Sequence, residues 1–550
     1  MRFRTRLFRT SLVLLTLALA VCAFGGQTGK VGIFDLDQIH SVPLEAEVIE
    51  KTVNGGIVRE SIRFTSLPGT KPLLVLTYKQ GLIKRPGIIF ARRFTPEARA
   101  EEAQAGFVGV FISPPLGNTD ASRVDSLGGP GYDPNRNWRQ YYEESTLDSP
   151  LYHHVVAMTR ALDYLATRPE IDLAKSSVLG TDWAGMAVAL LHAIDDRPAS
   201  FFVWNGMGFY ADREGKSGPS PALISRRSYE LYGPASYAEH GTKPIYVGAS
   251  LNSTESRFDS LLEYVRNLKS PKVLAFAPNR ERGDSGAKEF SGSATWQAFW
   301  TNPFGTAPSV SEGAFLVVNG RLRYSFAAKD QASHSVVYSY GRAGGWPGRT
   351  WHRTAATPVG GTYTAEIPVF DLDTPIYVFG NGTSPRFGAM ANTPQVVVPS
   401  SIGVTVVSTA PQDLLTNLRL YLATGTLAQG SNDPKLGPTA RILPHWDGRI
   451  RLRNVQPFLW QGAKELVVTV KGDGAQSVLN VYFAVDSRDQ LDAERENYTM
   501  IPLLKEGEVL GDGWRTFIIP LETVFDLERV DSLFFETGGK PLQIAGLRWR

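Results

Sequence analysis

The sequence predicts a multidomain protein in which an α/β domain with a doubly wound, mostly parallel sheet precedes two all-β sandwich or jelly-roll domains. Up to about residue 300, short apolar runs alternate with helical segments, the pattern of strands covered by helices on both faces. Beyond that point, short β-favouring runs follow one another between Gly, Pro and Asn turns. A chain of 550 residues is also too long for one hydrophobic core.

The composition is that of an ordinary folded protein. Hydrophobic residues make up 43% of the chain, charged residues make up 20%, and the formal net charge is +3. So small a net charge gives no electrostatic reason to expect a nucleic-acid partner, and none is predicted. No Cys/His cluster has metal-ligand spacing, so we predict no metal and no other cofactor.

The first residues predict an export signal over residues 1–25. Four arginines precede the apolar run Ser11 to Val21, which is shorter than the ~20 residues that a membrane span needs. Two alternatives stay open: removal of the signal, or a lipid anchor on Cys22, because the run LAVC resembles a bacterial lipobox. In both cases we expect a secreted, periplasmic or cell-envelope protein without a transmembrane span or an internal disulfide.

Residues 27–300 form the predicted α/β domain. Its strand candidates include Pro72 to Tyr78, Phe107 to Ser113 and Lys243 to Gly248. Between them, Leu151 to Arg168 repeats apolar residues at the three- and four-residue spacing of an amphipathic helix.

The rest of the chain predicts two β domains. Residues 305–395 predict a β-sandwich, and residues 411–550 predict a jelly roll. The stretch from Val396 to Pro411 is the expected seam between them.

One segment, KSSVLGTDWAGMAVALL from Lys175 to Leu191, predicts a strand, a sharp turn framed by Gly180 and Gly185, and a helix. This is the context of a nucleophile elbow, in which a serine is held exposed on a strained turn. The central residue here is Asp182, and Ala184 stands at the second glycine of the G-x-S-x-G pattern. Asp182 is therefore either an aspartate nucleophile or a turn residue left after a serine was lost.

The stretch LYHHVVAMTRALDYLATRPEIDLAKSSVLGTDWAGMAVALL resembles the acetyl xylan esterase and dienelactone hydrolase-like branch of the α/β-hydrolases. In that branch a helix of the form RALDYLxxRPxID leads into the strand, the elbow and its helix. The resemblance implies an α/β-hydrolase fold over residues 27–300. It also implies removal of acyl groups from polysaccharides or small esters.

That chemistry needs a nucleophile, an acid and a histidine, in this chain order. Asn252 stands at the acid position, and an amide cannot stabilise an imidazolium as a carboxylate does. Arg282 stands at the histidine position, in a stretch without histidine between His240 and His334. Because arginine stays protonated, it cannot act as the base. We therefore predict a degenerate triad and a pseudoenzyme.

The oxyanion side of the site is predicted at Trp183, whose N–H follows the elbow, and in the loop Ala91, Arg92 and Arg93. Many relatives carry a His-Gly pair in that loop. The two arginines suit an anion such as a carboxylated sugar, and the alternative is a solvated basic turn or a partner for Asp182.

The C-terminal stretches ELVVTVKG, GDGWRTFIIPLETV and RVDSLFFETGGKPLQIAGLRW resemble galactose-binding-like, jelly-roll carbohydrate-binding modules. The resemblance implies a polysaccharide or glycan partner. Trp460, Tyr498 and Trp446 are the candidates for stacking on sugar rings. Trp514 and Trp549 alternate with apolar strand residues, so we expect them in the core.

Three functions stay open from the sequence. The first is an exported protein with little or no esterase activity that acts in polysaccharide binding or processing. The second is an active carbohydrate or small-ester hydrolase that uses Asp182 as its nucleophile. The third is a non-catalytic structural protein of the cell envelope.

Overall fold

The structure is a computed structural model of the chain. The residues it describes are 28–81, 83–91, 100–113, 147, 149–206, 231–251, 258–278, 309–329, 332–341, 351–384, 388–407, 422–424, 426–428, 432–445, 448–453, 463–472, 474–485, 498–524 and 530–550. The predicted export signal and Cys22 lie outside these ranges.

The chain divides into two compact units. The first unit consists of residues 1–249, 255–275 and 284–307, and the second of residues 250–254, 276–283 and 308–550. The separate β domains predicted at 305–395 and 411–550 fall within or next to the second unit, and the division between them stays a prediction.

The N-terminal half alternates strands with helices. Its strands are β1 Lys30–Val31, β2 Phe34–Asp35, β3 Glu47–Asn54, β4 Ile57–Arg63, β5 Leu73–Lys79, β6 Arg85–Phe90, β7 Val108–Ser113, β8 Ile171–Thr181, β9 Ser200–Trp204, β10 Ile245–Ser250 and β11 Lys272–Ala277. Its helices are α1 Leu36–Ser41, α2 Ala100–Gln104, α3 Pro150–Ala166, α4 Asp182–Ile194, α5 Pro234–Tyr237 and α6 Phe258–Asn267, with a 3₁₀ turn at Ala238–His240.

The large sheet of this half is doubly wound and mostly parallel at its centre, as predicted. Its strands lie in the order β11-β10-β9-β8-β6-β7-β5-β4-β3. The pairs β7–β6, β6–β8, β8–β9 and β9–β10 are parallel. The pairs β7–β5, β5–β4 and β4–β3 are antiparallel. The chain leaves β6 for β7 on one side and comes back to β8 on the other. The boundary between β6 and β8 is therefore a topological switch point, where open α/β sheets place their ligands.

Helices α3 and α4 precede and follow β8. Ser149 caps α3, because its Oγ accepts a hydrogen bond from the N–H of Leu151 at 3.2 Å, and Pro150 suits the first turn. The predicted amphipathic helix is thus confirmed, with small shifts at both ends. All residues of α4 from Ala184 to Ile194 are buried, which explains its Ala, Met, Val and Leu content.

A buried network of opposite charges joins α1, α3 and the segment after α4. Arg197 donates to Asp163 at 2.7 Å and to Asp195 at 2.5 Å. Arg160 also donates to Asp163, and His40 does so at 3.0 Å. Burial acts to raise the pKa of Asp163, but the His40 hydrogen bond and the arginine charges outweigh it, so the pKa lies below its ordinary value. Each charge withdrawn from water therefore has an opposite charge beside it.

His192, on α4, is buried against a neighbouring loop. Its Nε2–H donates to the carbonyl of Lys243 at 2.8 Å, and its ring occupies the place that a side chain on Gly241 would need. Burial lowers the pKa of His192 to about 4, against the weaker opposite effect of the Lys243 hydrogen bond. The imidazole is therefore neutral in the folded protein near neutral pH.

We expect His192 to make the protein less stable as the pH falls from about 6.5 toward about 4. In this window the unfolded imidazole takes up a proton that the folded one does not. Replacing His192 with Gln should reduce the pH slope of the unfolding free energy by about 1.4 kcal/mol per pH unit. Urea titrations across this window measure the slope, with the exposed His240→Gln as the matched control. Equal slopes for wild type and H192Q would contradict the assignment.

The second unit is built from β-strands. They are β12 Ser309–Val310, β13 Ala314–Val318, β14 Arg321–Phe326, β15 Ala328–Lys329, β16 Ser333–Tyr340, β17 His352–Ala355, β18 Thr357–Val359, β19 Thr362–Glu366, β20 Ile376–Ser384, β21 Gly388–Ala391, β22 Gln395–Val397, β23 Leu422–Thr424, β24 Thr426–Ala428, β25 Asn432–Asp433, β26 Gly437–Pro438, β27 Ala440–Leu443, β28 Arg449–Arg453, β29 Glu465–Gly472, β30 Asn480–Val485, β31 Tyr498–Pro502, β32 Arg515–Pro520, β33 Val530–Glu536 and β34 Leu542–Trp549. Two 3₁₀ turns, Pro399–Ser401 and Leu521–Thr523, lie between them.

Two five-stranded sheets form the C-terminal part of the second unit. One has the order β23-β28-β33-β30-β31 and the other β24-β27-β34-β29-β32, with antiparallel pairing throughout. Their buried side chains, such as Phe483 and Phe535 from one sheet and Val468 and Leu547 from the other, belong to one hydrophobic cluster. This is the arrangement of a β-sandwich. Trp549 is buried as expected, whereas Trp514 is half-buried and donates to Asp433 at 2.8 Å.

Within the described ranges, none of the helices combines the length and the apolar character that crossing a bilayer would require.

Candidate functional site

The candidate site lies at the switch point, where β6 and β8 end side by side. Phe90 is paired with Leu179, and the N–H of Ala91 donates to the Leu179 carbonyl at 2.9 Å. The next residues of β8 lead directly into α4 at Asp182. The structure therefore brings Ala91, Asp182 and Trp183 to the same edge of the sheet, and their predicted roles stay predictions.

Asp182 has the backbone conformation of an elbow residue. Its φ is +54°, in the left-handed region, and its side chain is half-exposed at the first position of α4. The left-handed region costs a non-glycine residue roughly 1–2 kcal/mol, although Asp tolerates it better than most residues. A carboxylate at a helix N-terminus also interacts favourably with the helix dipole. The turn predicted from the sequence is therefore present, with a carboxylate at its apex.

Glycines make this turn possible by allowing close backbone contacts. A Cβ on Gly180 would lie 2.3 Å from the carbonyl oxygen of Ala184, and one on Gly185 would lie 2.9 Å from that of Trp204. A Cβ on Gly206 would lie 2.2 Å from the carbonyl carbon of Gly185. Strand β8, helix α4 and the end of β9 thus touch through their main chains.

A second left-handed residue, Asn205, follows β9 beside the elbow. Its φ is +52°, it is buried, and its N–H donates to the Gly248 carbonyl at 2.9 Å. Asn205 was not predicted as a site residue from the sequence. The signal was the Asn-Gly pair directly after a strand, because Asn and Gly are the residues that adopt a positive φ most readily.

The first unit has five described histidines, and one of them, His154, lies at the edge of the candidate site. His40 bonds to Asp163, His192 bonds to Lys243, and His240 is exposed after a short helix. His154 lies at the start of α3, with its imidazole next to the backbone of Ala91. His153, its neighbour on α3, is half-buried with its ring at 81° to that of Tyr152.

His154 is the imidazole that the structure places at the C-terminal end of β6. It is 1% exposed, and among the described residues neither ring nitrogen has a hydrogen-bond partner of ordinary geometry. Burial lowers the pKa of His154 to about 4, against a weaker opposing interaction with the Ala91 backbone. The imidazole is therefore neutral near neutral pH but a weak base. His154 was not predicted as a site residue from the sequence.

Several predicted site residues lie outside the described ranges: Asn252, Arg282, Arg92, Arg93, Trp446 and Trp460. Their roles stay predictions. Across the parts of the chain that are described, no group of three or more His, Cys, Asp or Glu side chains is arranged to hold a metal ion.

In the second unit, Tyr498 lies on β31, the strand at the end of its sheet, and is 39% exposed. Its ring meets that of Tyr482 edge-on, with 5.1 Å between centroids and 69° between planes. Tyr482 donates to Glu536 at 2.5 Å, and Asn480 donates to the same oxygen at 2.8 Å. Tyr498 was predicted from the sequence, whereas Tyr482 and Glu536 were not.

The doubly wound sheet with an elbow at its switch point has the form of an α/β-hydrolase domain. Three solved structures are similar to part of the chain. Acetyl xylan esterase 1 from Thermoanaerobacterium sp. JW/SL YS485 is 14% identical, with a TM-score of 0.39 over 46% of this chain and 88% of that one. Acetyl xylan esterase from Paenibacillus sp. R4 is also 14% identical, with a TM-score of 0.40 over 48% of this chain and 90% of that one.

A protein described as a dienelactone hydrolase from Klebsiella pneumoniae subsp. pneumoniae is likewise 14% identical, with a TM-score of 0.30 over 45% of this chain and 99% of that one. No protein-family model matches the chain. No curated protein matches it either.

We expect Gly180→Ala to disrupt the elbow, because the new Cβ would lie 2.3 Å from main-chain atoms that cannot rotate away. The unfolding free energy should fall by about 1–3 kcal/mol, the usual cost of overpacking. Urea titrations measure it.

Gly109→Ala on β7 is the matched control. The nearest atom to a Cβ at this position would be the Thr77 carbonyl oxygen, at an ordinary contact distance of 3.6 Å. The control should change the unfolding free energy by less than about 1 kcal/mol. A Gly180→Ala protein as stable as the control would contradict the packing argument.

Proposed function

We propose that this chain is an exported α/β-hydrolase-fold protein with a degraded catalytic triad. It acts in polysaccharide binding or processing and has little or no esterase activity. The observation that carries the proposal is the elbow itself, which keeps its left-handed backbone at φ +54° but presents the carboxylate of Asp182 where a hydroxyl nucleophile is needed.

A carboxylate at this position is a poor replacement for a serine in ester cleavage. It has no proton to lose, so a neighbouring base cannot activate it as it activates a hydroxyl. It also places a negative charge beside the backbone donors that would stabilise an oxyanion. Two unit charges about 4 Å apart repel by about 4 kcal/mol at an effective dielectric constant of about 20, which corresponds to a rate loss of roughly a thousandfold.

The remaining partners of the triad support the same interpretation. The sequence has Asn252 at the acid position and Arg282 at the histidine position, and no histidine between His240 and His334. Loss of a triad base removes several orders of magnitude in rate.

A polysaccharide role is favoured by the second unit, whose β-sandwich carries an exposed tyrosine on the outer face of one sheet. Aromatic faces are the usual partners of sugar rings in such a position. The acyl-polysaccharide chemistry implied by the sequence resemblance points to the same class of partner. A purely structural role in the cell envelope would leave this surface without a ligand.

One observation favours a second candidate function, an active ester hydrolase with Asp182 as its nucleophile. His154 is a buried, neutral imidazole at the same sheet edge as Asp182. An aspartate nucleophile that attacked an ester carbonyl would expel the alcohol and form a mixed anhydride on the enzyme. Hydrolysis of that anhydride needs a base to activate water, and His154 is a described imidazole at this edge of the sheet.

Hydrolysis of p-nitrophenyl acetate separates the two candidates. We expect the hydrolysis rates of wild type and Asp182→Asn to agree within a factor of about two. Both rates should be less than about tenfold above the rate measured with the denatured protein. Asp196→Asn is the matched control, because Asp196 is another half-exposed carboxylate at the far end of α4.

The proposal would be contradicted by a wild-type rate at least about a hundredfold above the rate of the denatured protein, if D182N lost that rate and D196N kept it. Loss of the same rate in His154→Gln would then identify His154 as the base of the second candidate function.

A further inference from the structure

The outer face of the sheet β23-β28-β33-β30-β31 carries polar and aromatic side chains that the core does not use. Val481, Phe483 and Phe535 point inward and are completely buried. Because side chains alternate along a strand, Asn480, Tyr482 and Glu536 point to the opposite face. Register places Asn480 and Arg449 each opposite Glu536 on β33.

Five residues of this face, Arg449, Asn480, Tyr482, Tyr498 and Glu536, are called the Tyr482 cluster. Tyr482 is at its centre. Its hydroxyl donates to Oε2 of Glu536 at 2.5 Å, its ring meets Tyr498 edge-on, and the Arg449 guanidinium lies 5.9 Å from its ring centroid. Asn480 donates to the same Glu536 oxygen at 2.8 Å.

These contacts hold polar groups in fixed positions while leaving them accessible. Arg449, Asn480, Tyr482 and Glu536 are half-exposed, and Tyr498 is exposed. Both described hydrogen bonds to Glu536 end on Oε2, so Oε1 is the oxygen that can accept from a ligand. Fixing side chains before binding reduces the entropy cost of binding.

The charge of the Tyr482 cluster indicates what kind of ligand it suits. The one guanidinium and the one carboxylate of the cluster cancel. The next guanidinium on this face, that of Arg451, lies 4.2 Å from the centroid of the Phe534 ring and is only 7% exposed, so it contributes little to the surface charge. Burial, followed by the Glu536 hydrogen bond, raises the pKa of Tyr482 to about 12, so its hydroxyl stays a donor near neutral pH. The Tyr482 and Asn480 hydrogen bonds lower the pKa of Glu536, so its carboxylate stays an acceptor.

A neutral sugar ring fits all of these properties. Its hydroxyls both donate and accept hydrogen bonds, which matches a carboxylate oxygen, an amide and a guanidinium set side by side. Its apolar C–H face matches the exposed ring of Tyr498 and the adjacent Met500, which is 47% exposed and opposite Tyr482.

We propose that the Tyr482 cluster binds a neutral sugar ring of a polysaccharide, with the ring against Tyr498 and its hydroxyls on Glu536 and Arg449. The proposal rests on the polysaccharide role proposed above and names the site and the ligand class for it. It is independent of whether Asp182 catalyses any reaction.

Affinity electrophoresis of the full chain tests this site. Native gels contain neutral arabinoxylan, neutral galactomannan or anionic polygalacturonate. Wild type should be retarded by at least one neutral polysaccharide and not by polygalacturonate. Tyr498→Ala and Glu536→Gln should each weaken that retardation about tenfold or more.

Ile518→Ala is the matched control, because Ile518 is 51% exposed on β32, the end strand of the other sheet. It should bind as wild type does, and thermal melts check that all variants fold.

Retardation by a neutral polysaccharide that survives both Y498A and E536Q would overturn the site but keep the polysaccharide role. Retardation by polygalacturonate alone would overturn the neutral ligand class. If none of the three gels retards the wild-type protein, both the site and the polysaccharide role are overturned. The p-nitrophenyl acetate experiment is independent of that outcome.

Discussion

The close approach of three main-chain segments at the elbow is the constraint on which the first unit depends. Gly180, Gly185 and Gly206 have no room for a Cβ, because each would meet backbone atoms of the neighbouring segment within 3 Å. The left-handed turn at Asp182 is the route by which the chain leaves β8 and starts α4 under that constraint. The turn is therefore set by main-chain packing as well as by the tolerance of its apex residue for a positive φ.

This separation of backbone and side-chain roles is what the proposed function requires, because the elbow's fold would then not depend on its chemistry. The elbow geometry is part of the core, and α4 is buried along almost its entire length. Asp182, by contrast, is half-exposed at the first position of α4. A serine and an aspartate at this position would therefore differ little in the core packing that they provide. The buried His154 beside Ala91 is the feature that would connect this backbone to proton transfer.

The elements next to the elbow were predictable because their signals are local: apolar spacing along α3, a short β-favouring run before Gly180, and an Ala- and Leu-rich helix after it. The groups that meet across the fold were not. Tyr482 and Glu536 are 54 residues apart, and His40 and Asp163 are 123 residues apart. A local pattern contains no information about which distant polar side chains will share a face or a buried pair. Asn205 was missed for a different reason, because an Asn-Gly pair indicates a turn but not its position beside the elbow.

The most direct test of the proposal that the elbow lacks a working nucleophile is isotope exchange at Asp182. The protein is incubated with p-nitrophenyl acetate in water enriched in heavy oxygen, and the peptide containing Asp182 is analysed by mass spectrometry. An aspartate nucleophile takes up oxygen from water each time its acyl-enzyme is hydrolysed at the aspartyl carbonyl. We predict that the Asp182 peptide keeps its natural isotope pattern. Substrate-dependent uptake of heavy oxygen at Asp182 would contradict the account.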